Sequence, residues 1–196
     1  MNYESEISSA VHAVGIACEL CKSVQMNLVS EETMEKKDKS PVTVADFGAQ
    51  AIVIHELINA FPDDPIVAEE DARELTICGG DPLRESVVKH LESYLPGLSE
   101  GDIISRINMG VHEGGKEGRF WTLDPIDGTK GFLRNQQYAV ALALIENGEV
   151  VLGVLGCPNL SIDSSESKEK LGTLLYAVKG QGAFMKPIDK QDVNSI

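Results

Sequence analysis

Hydrophobic residues recur every three or four positions through the first 60 residues, which is the spacing of amphipathic helices. The pattern predicts a long helix over about residues 3–29 and a second helix over Ala45–Ala60. Asp46 would then lie in the first turn of the second helix, where a negative charge is favourable. This position alone fits a residue that complements the helix dipole and a functional acid equally well.

A short apolar run at Ile66–Ala68 predicts a buried strand, and three acids follow it directly: Glu69, Glu70 and Asp71. Three acids together usually mark a solvent-exposed surface. An acid placed immediately after a buried strand is also in a common position for active-site residues, because such sites gather at strand ends. The sequence therefore leaves both interpretations of these acids open.

The hydrophobic pattern changes from helical spacing to strict alternation near residue 138. Over Tyr138–Ile145 large apolar residues alternate with alanine, which predicts a strand covered on both faces. Asn147 and Gly148 predict a hairpin turn that leads into a second strand over Val150–Cys157. A further strand pair follows over residues 173–178 and 183–186, and helices are predicted over 81–95 and 99–109. The predicted fold class is α+β, with helices packed on a largely antiparallel sheet.

Charge narrows the classes of function. The chain has 196 residues and a formal net charge of -14, without a basic tract. This composition disfavours binding to polymeric nucleic acid or to an anionic membrane, but it allows a small phosphorylated ligand held through a metal ion. The longest apolar run, Tyr138–Ile145, is too short to span a bilayer, and no signal or transit pattern is visible. We therefore expect a cytoplasmic protein.

Cys18 and Cys21 form a C-x-x-C pair inside the first predicted helix. A zinc site would need a second pair, whereas Cys78 and Cys157 stand alone, so we expect core thiols. The four histidines lie outside the motifs described below and are expected to be structural or surface residues. The charged stretch from Glu31 to Lys39 is typical of a solvated surface or, because it leads into one of those motifs, of a mobile flap.

Two aspartates follow a short predicted strand, Phe120–Leu123, in the middle of the chain. Asp124 and Asp127 are costly at the end of a buried strand unless a cation lies between them. A hard divalent cation such as Mg²⁺ prefers oxygen ligands, and the carbonyl oxygen of Ile126 would be a third one. Pro125 favours an extended conformation at Asp124, so that both acids can face one point.

The residues after these aspartates suit an anion. Gly128 lets the backbone approach a ligand closely. Gly128 and Thr129 also open a predicted helical turn, whose free N–H groups would receive a phosphate. The sequence thus predicts a metal-plus-phosphate site. The alternative is a tight polar turn in which an aspartate caps a helix.

Three segments, in this order, resemble motifs of the lithium-sensitive, magnesium-dependent phosphatase superfamily that includes inositol monophosphatase. They are Ser40-Pro41-Val42-Thr43-Val44-Ala45-Asp46, Val67-Ala68-Glu69-Glu70-Asp71 and Asp124-Pro125-Ile126-Asp127-Gly128-Thr129. The extension Lys130-Gly131-Phe132-Leu133-Arg134 is similar to the 3′(2′),5′-bisphosphate nucleotidase branch and argues against inositol monophosphatase, the alternative within this class of enzymes. The resemblance implies that residues 1–196 form the amino-terminal catalytic, metal-binding domain, with the carboxy-terminal domain absent.

The resemblance also implies a role for each site residue. Glu69, Asp124, Asp127 and the Ile126 carbonyl would bind metal, Asp46 and Thr129 would orient and deprotonate a metal-bound water, and the backbone of Gly128 and Thr129 would bind substrate. Two or three Mg²⁺ ions are expected per site. The implied reaction converts adenosine 3′,5′-bisphosphate to AMP and phosphate, with PAPS and inositol polyphosphates as secondary substrates. The implied pathways are sulfur assimilation and phosphoinositide turnover.

One family motif is missing from the sequence. Members of the superfamily carry a later Trp-Asp-x-Ala-x-Gly segment whose aspartate is another metal ligand, whereas the one tryptophan here, Trp121, precedes the central motif. Two outcomes are expected from this departure. Either the chain is a phosphatase, weakened to some degree, or it is a catalytically inactive short form that acts in binding or regulation.

Overall fold

Six strands form one mixed sheet, and their order across the sheet is their order along the chain. The strands are β1 (Ile66–Ala68), β2 (Arg119–Asp127), β3 (Ala139–Glu146), β4 (Glu149–Cys157), β5 (Thr173–Val178) and β6 (Gly182–Pro187). β1 pairs with β2 in parallel, and every later pair is antiparallel. The largely antiparallel α+β fold predicted from the sequence is confirmed. The computed structural model describes residues 3–31, 41–76, 81–161 and 172–188.

Six helices accompany the sheet in the described part of the chain. They are α1 (Glu4–Glu31), α2 (Pro41–Ala60), α3 (Arg73–Thr76), α4 (Asp81–Leu91), α5 (Glu100–Asn108) and α6 (Thr129–Leu133). The predicted start of the second helix was wrong, because α2 begins at Pro41 rather than at Ala45. Proline suits the first position of a helix, where its missing N–H has no partner to lose. Asp46 therefore lies in the second turn of α2, not in the first.

The core lies between one face of the sheet and the two long helices, α1 and α2. A Cβ atom on Gly156 would lie 2.3 Å from the Cys18 sulfur, so the glycine in β4 allows α1 to approach the sheet closely. Cys18 and Cys21 are fully buried and free, which confirms that they are core thiols. α1 is long and apolar enough to cross a membrane, but most of it is buried in the protein.

The opposite face of the sheet is shallow and open. Ala141 and Ala143 in β3 are only partly buried, and Leu155 in β4 is 42% exposed. The prediction that β3 is covered on both faces was therefore wrong for the described residues. The large residues of β3 face the helices and its alanines face a groove of about 470 Å³. Alternation of large and small side chains here reflects one packed face and one shallow face.

The turn between β3 and β4 follows the sequence prediction. Asn147 and Gly148 both have positive φ, 50° and 80°, which is the conformation of a type I′ hairpin turn. Glycine and asparagine tolerate positive φ, so these two residues set the register of the hairpin. The predicted flap over Glu31–Lys39, apart from Glu31 itself, and Cys78 lie outside the described residues.

Candidate active site

The parallel pair β1–β2 brings the first two predicted ligands together. Ala68 pairs with Leu123, so Glu69, which follows β1, and Asp124, which lies in β2, are at the same height in the sheet. The remaining strands of the sheet are antiparallel, and this is where the carboxyl ends of two strands meet side by side. Functional side chains gather at such ends in sheets with parallel strands. The predicted convergence of the second and third motifs is therefore present in the fold.

β2 continues through the central motif instead of ending before it. The prediction that the strand stops at Leu123 was wrong, because Asp127 still pairs with Ala139 of β3. Two residues of β2, Pro125 and Ile126, lie opposite one residue of β3, Val140, between the paired positions Asp124 and Asp127, which is a β-bulge. Proline fits a bulge because no ladder hydrogen bond from its nitrogen is needed there. The bulge explains how the two aspartates can leave the regular up-and-down alternation of a strand.

The turn after the bulge is fixed by local hydrogen bonds. A carboxylate oxygen of Asp124 accepts from the Ile126 N–H at 3.1 Å. Gly128 has φ 95° and ψ 42°, a left-handed conformation that only glycine adopts without strain, and it caps α6. The Thr129 hydroxyl donates to the Ile126 carbonyl oxygen across 3.5 Å. Asp127, Gly128 and Thr129 are exposed.

α2 brings Asp46 to the same place. Its carboxyl is partly buried and faces three other acids, and burial first, then Glu70, Glu69 and Asp124, raise its pKa to about 8. Burial, then Glu69, Glu74 and Asp124, raise the pKa of Glu70 to about 7. The pKa of Asp124 is raised too, by burial and then by Glu69 and Asp127. These mutual effects mean that the side chains of all three sequence motifs share one electrostatic environment.

Sequence reasoning missed two residues of this cluster. Glu70 was not chosen as a site residue, although it is the strongest electrostatic neighbour of Asp46. Gln50 was not considered, although it is fully buried and bonds to both backbone groups of Glu70. A signal for Gln50 was available, because it is the single polar residue in the run Phe47–Ile54 and lies one helical turn after Asp46. His55 and Glu56, which follow that run, are partly exposed.

The donor set suits a hard divalent cation. The converging groups of Asp46, Glu69, Glu70 and Asp124 all offer carboxylate oxygens, and like charges so close together favour a bound cation. The nearby Cys21 is buried and its thiol pKa is raised, so a thiolate ligand is disfavoured. Among the described residues, no three His, Cys, Asp or Glu side chains already stand in a metal-binding arrangement. The individual ligand roles of Glu69, Asp124, Ile126 and Asp127 remain predictions.

The histidines of the chain take no part in this cluster. Each has a partner on its own element or on a neighbouring helix or loop: His12 with Glu56, His55 with Asn59, His90 with Ser86, and His112 with Gly114. These contacts agree with the structural or surface roles expected from the sequence. The side chains of the candidate site that can exchange protons are therefore carboxyl groups rather than imidazoles.

Known proteins are similar to the chain along nearly its whole length. The model of the inositol monophosphatase family matches residues 2–194. The chain is 43% identical over 208 residues to 3′(2′),5′-bisphosphate nucleotidase 1 of Arabidopsis thaliana, an alignment that covers 97% of this chain and 59% of the relative. It is 43% identical over 209 residues to 3′(2′),5′-bisphosphate nucleotidase of Schizosaccharomyces pombe, with 100% of this chain and 59% of the relative covered. The chain thus spans less than two thirds of the length of these relatives.

Solved structures share the fold at lower sequence identity. Inositol monophosphatase from Anabaena (Nostoc) sp. PCC 7120 superposes with a TM-score of 0.55 at 18% identity, over 94% of this chain and 48% of that one. Inositol monophosphatase II from Staphylococcus aureus MSSA476 superposes with a TM-score of 0.51 at 15% identity, over 89% of this chain and 46% of that one. The helices on a mixed six-stranded sheet are therefore an arrangement also found in other proteins.

Proposed function

Because the chain belongs to the inositol monophosphatase family, we propose that it carries the metal site of a phosphatase that hydrolyses adenosine 3′,5′-bisphosphate to AMP and phosphate. The observation that carries this proposal is the pairing of Ala68 with Leu123, which sets Glu69, just after β1, beside Asp124 of the parallel strand β2. The choice of substrate rests on the relatives at 40–43% identity that are named bisphosphate nucleotidases.

Oxygen donors and partial burial favour Mg²⁺ as the metal. Glu69, Asp124, Asp127 and the carbonyl oxygen of Ile126 would hold it. When bound, Mg²⁺ would neutralise the carboxylates, polarise the phosphoryl group and lower the pKa of the attacking water. An anionic phosphate ester would otherwise be repelled from a cluster of acids.

The protein groups supply orientation and proton transfer in this proposal. Asp46 lies on α2 opposite the strand ends, where it would accept the proton of the attacking water. Burial and the neighbouring acids raise its pKa to about 8 in the absence of metal, and bound Mg²⁺ would favour the ionised form that can accept a proton. The Thr129 hydroxyl, beside the Ile126 carbonyl, would orient that water. The backbone at Gly128 and Thr129 would bind the phosphate.

The test is phosphate release from adenosine 3′,5′-bisphosphate, with inositol 1-phosphate as the competing substrate. We expect release with Mg²⁺, none after chelation with EDTA, and a fall of about 100-fold or more in Asp127→Asn, because a carboxylate that would hold the metal is lost. Faster phosphate release from inositol 1-phosphate than from adenosine 3′,5′-bisphosphate would overturn the proposed substrate.

The same assay decides between catalysis and binding. If the folded wild-type chain binds Mg²⁺ by calorimetry but releases no phosphate, the phosphatase proposal is overturned for this chain and a metal-binding, regulatory role takes its place.

A further inference from the structure

Gln50 is a fully buried amide at the back of the candidate site. It follows Asp46 by one turn of α2, so the two side chains leave the same side of the helix. Its oxygen accepts from the Glu70 N–H at 2.9 Å, and its nitrogen donates to the Glu70 carbonyl at 2.7 Å. These two hydrogen bonds to the Glu70 backbone resemble those that a residue of a neighbouring β-strand would make. Gln50 thereby extends the hydrogen bonding of β1 past its last residue.

The same amide also reaches a third element. Its nitrogen donates to the Ile107 carbonyl at 3.1 Å, in the last turn of α5. The Ile107 carbonyl also accepts from the Gly110 N–H at 3.2 Å, so the Gln50 bond adds a link from α2 to an end of α5 that its own backbone already caps. All hydrogen-bonding atoms of the Gln50 side chain thus have protein partners, and they join α2, α5 and the acidic end of β1.

The residues around Gln50 are closely packed and have little room to move. A Cβ atom on Gly110, just after α5, would lie 2.6 Å from the Ala68 side chain and 3.3 Å from the Gln50 nitrogen. The Ala68 N–H donates to the Gly110 carbonyl at 2.8 Å. β1 has three residues, and a strand this short needs such support to hold the residues that follow it. Without Gln50, the backbone at Glu70 would lose its hydrogen-bond partners on the α2 side.

We infer that Gln50 is a positioning residue of the metal site: by fixing the backbone of Glu70 against α2, it holds the Glu69–Glu70 acids at a set distance from Asp46 and Asp124. The inference rests on the proposed function, and it assigns to Gln50 a part in metal affinity that none of the sequence motifs contains. Side chains that orient metal ligands typically change metal affinity 10- to 100-fold when they are replaced.

The test compares Gln50→Met with Asp64→Asn. Methionine keeps the length of the side chain and removes its hydrogen bonds, whereas Asp64 accepts from Arg119 and Trp121 before the opposite end of β1. Both variants lose partly or fully buried hydrogen bonds, so both should lower Tm. Mg²⁺ titration calorimetry on the folded chain should show Kd raised about tenfold or more in Gln50→Met and nearly unchanged in Asp64→Asn.

Hydrogen exchange gives a readout that does not depend on metal. A peptide containing residues 67–71 should exchange faster in Gln50→Met, because the Glu70 N–H loses its acceptor, while peptides from the middle of α1 keep their protection. If Gln50→Met is too unstable for titration, a loss of protection confined to residues 67–71 supports the inference. Faster exchange of the whole chain, with no additional effect at residues 67–71, counts against it.

The outcomes separate the two proposals. Absence of Mg²⁺ binding by wild-type protein overturns the proposed function itself. Normal binding by the wild type together with an unchanged Kd in Gln50→Met, despite a lowered Tm, reduces Gln50 to a core amide and overturns the positioning role alone.

Discussion

Asp46 is a carboxyl group whose surroundings oppose its charge. It is partly buried on α2, and the groups that face it are the acids Glu70, Glu69 and Asp124. Burial and this repulsion raise its pKa to about 8, far above its value in the unfolded chain. Stability contributed by the protonated form is fully present below the unfolded pKa, and it is lost as the pH rises through about 8.

We therefore expect Asp46→Asn to stabilise the metal-free protein at pH 9 while leaving its stability at pH 4 almost unchanged. The gain should be on the order of 2 kcal/mol, since one unit of pKa is worth about 1.4 kcal/mol and screening by solvent removes much of the effect. Urea unfolding in EDTA measures it. Saturating Mg²⁺ should shrink the difference, because a cation stabilises the ionised acid.

Asp63→Asn is the matched control, since Asp63 is exposed in the turn before β1. An equal gain in both variants at pH 9 would mean that total charge, rather than the surroundings of Asp46, sets the effect.

At the level of secondary structure, α6 and the segment before β3 meet without room for a side chain. A Cβ atom on Gly131 would lie 1.9 Å from the carbonyl oxygen of Gln137. The Gly131 carbonyl also accepts from the Gln136 N–H at 2.7 Å. The backbone of α6 therefore lies directly against the chain that enters β3, and this contact sets the path of the loop that follows the candidate site.

Gly131→Ala should lower the free energy of unfolding by about 2 kcal/mol, because overpacking forces the backbone apart. Helix propensity alone predicts the opposite sign, a gain of roughly 0.5–1 kcal/mol for alanine over glycine. Urea unfolding distinguishes the two. Gly153→Ala is the control, since a Cβ atom there meets no atom within 4 Å. A higher free energy of unfolding in Gly131→Ala would contradict this prediction, because it would mean that residues 136–138 can move away from the added methyl group at little cost.

Hydrophobic periodicity and short motifs were sufficient to predict which segments form helices and which form strands. The helices, the hairpin at Asn147 and the acids after β1 could be predicted because each depends on residues near in sequence. The start of α2 could not be predicted, because a proline such as Pro41 can either end a helix or occupy its first position. The length of β2 could not be predicted either, because its bulge forms only by pairing with β3. Gln50 was missed because its partners, Glu70 and Ile107, are distant in sequence.

At the scale of the whole molecule, Arg119 joins elements from both halves of the described chain. Its guanidinium donates to Asp64 at 2.9 Å, to Glu6 at 3.0 Å and to Glu146 at 3.0 Å. It also lies 5.6 Å from the centre of the Phe61 ring. One side chain thus connects α1, the turn before β1, β2 and β3 at the end of the sheet opposite to the candidate site.

Arg119→Leu should lower the free energy of unfolding by about 3 kcal/mol, because three partly buried carboxylates lose their common cation. Arg73→Leu is the control. Arg73 pairs with Asp71 at the surface, where its side chain is 86% exposed, so solvent screens the pair and its loss should change stability little. Urea unfolding at neutral pH gives both values. Equal losses in the two variants would contradict the role of Arg119 as a junction.

The long range of these junctions has a consequence for synthesis on the ribosome. The Tyr3 hydroxyl donates to Glu146, 143 residues later, and α1 packs on β4 as well as on α2. While α2 can cover one side of α1 early, the side that faces the sheet must wait until β3 and β4 have been made. At translation rates of about 5–20 residues per second, that wait is on the order of ten seconds. During it, a helix apolar enough to cross a membrane has an uncovered face, so α1 is the segment of the nascent chain that we expect chaperones to bind.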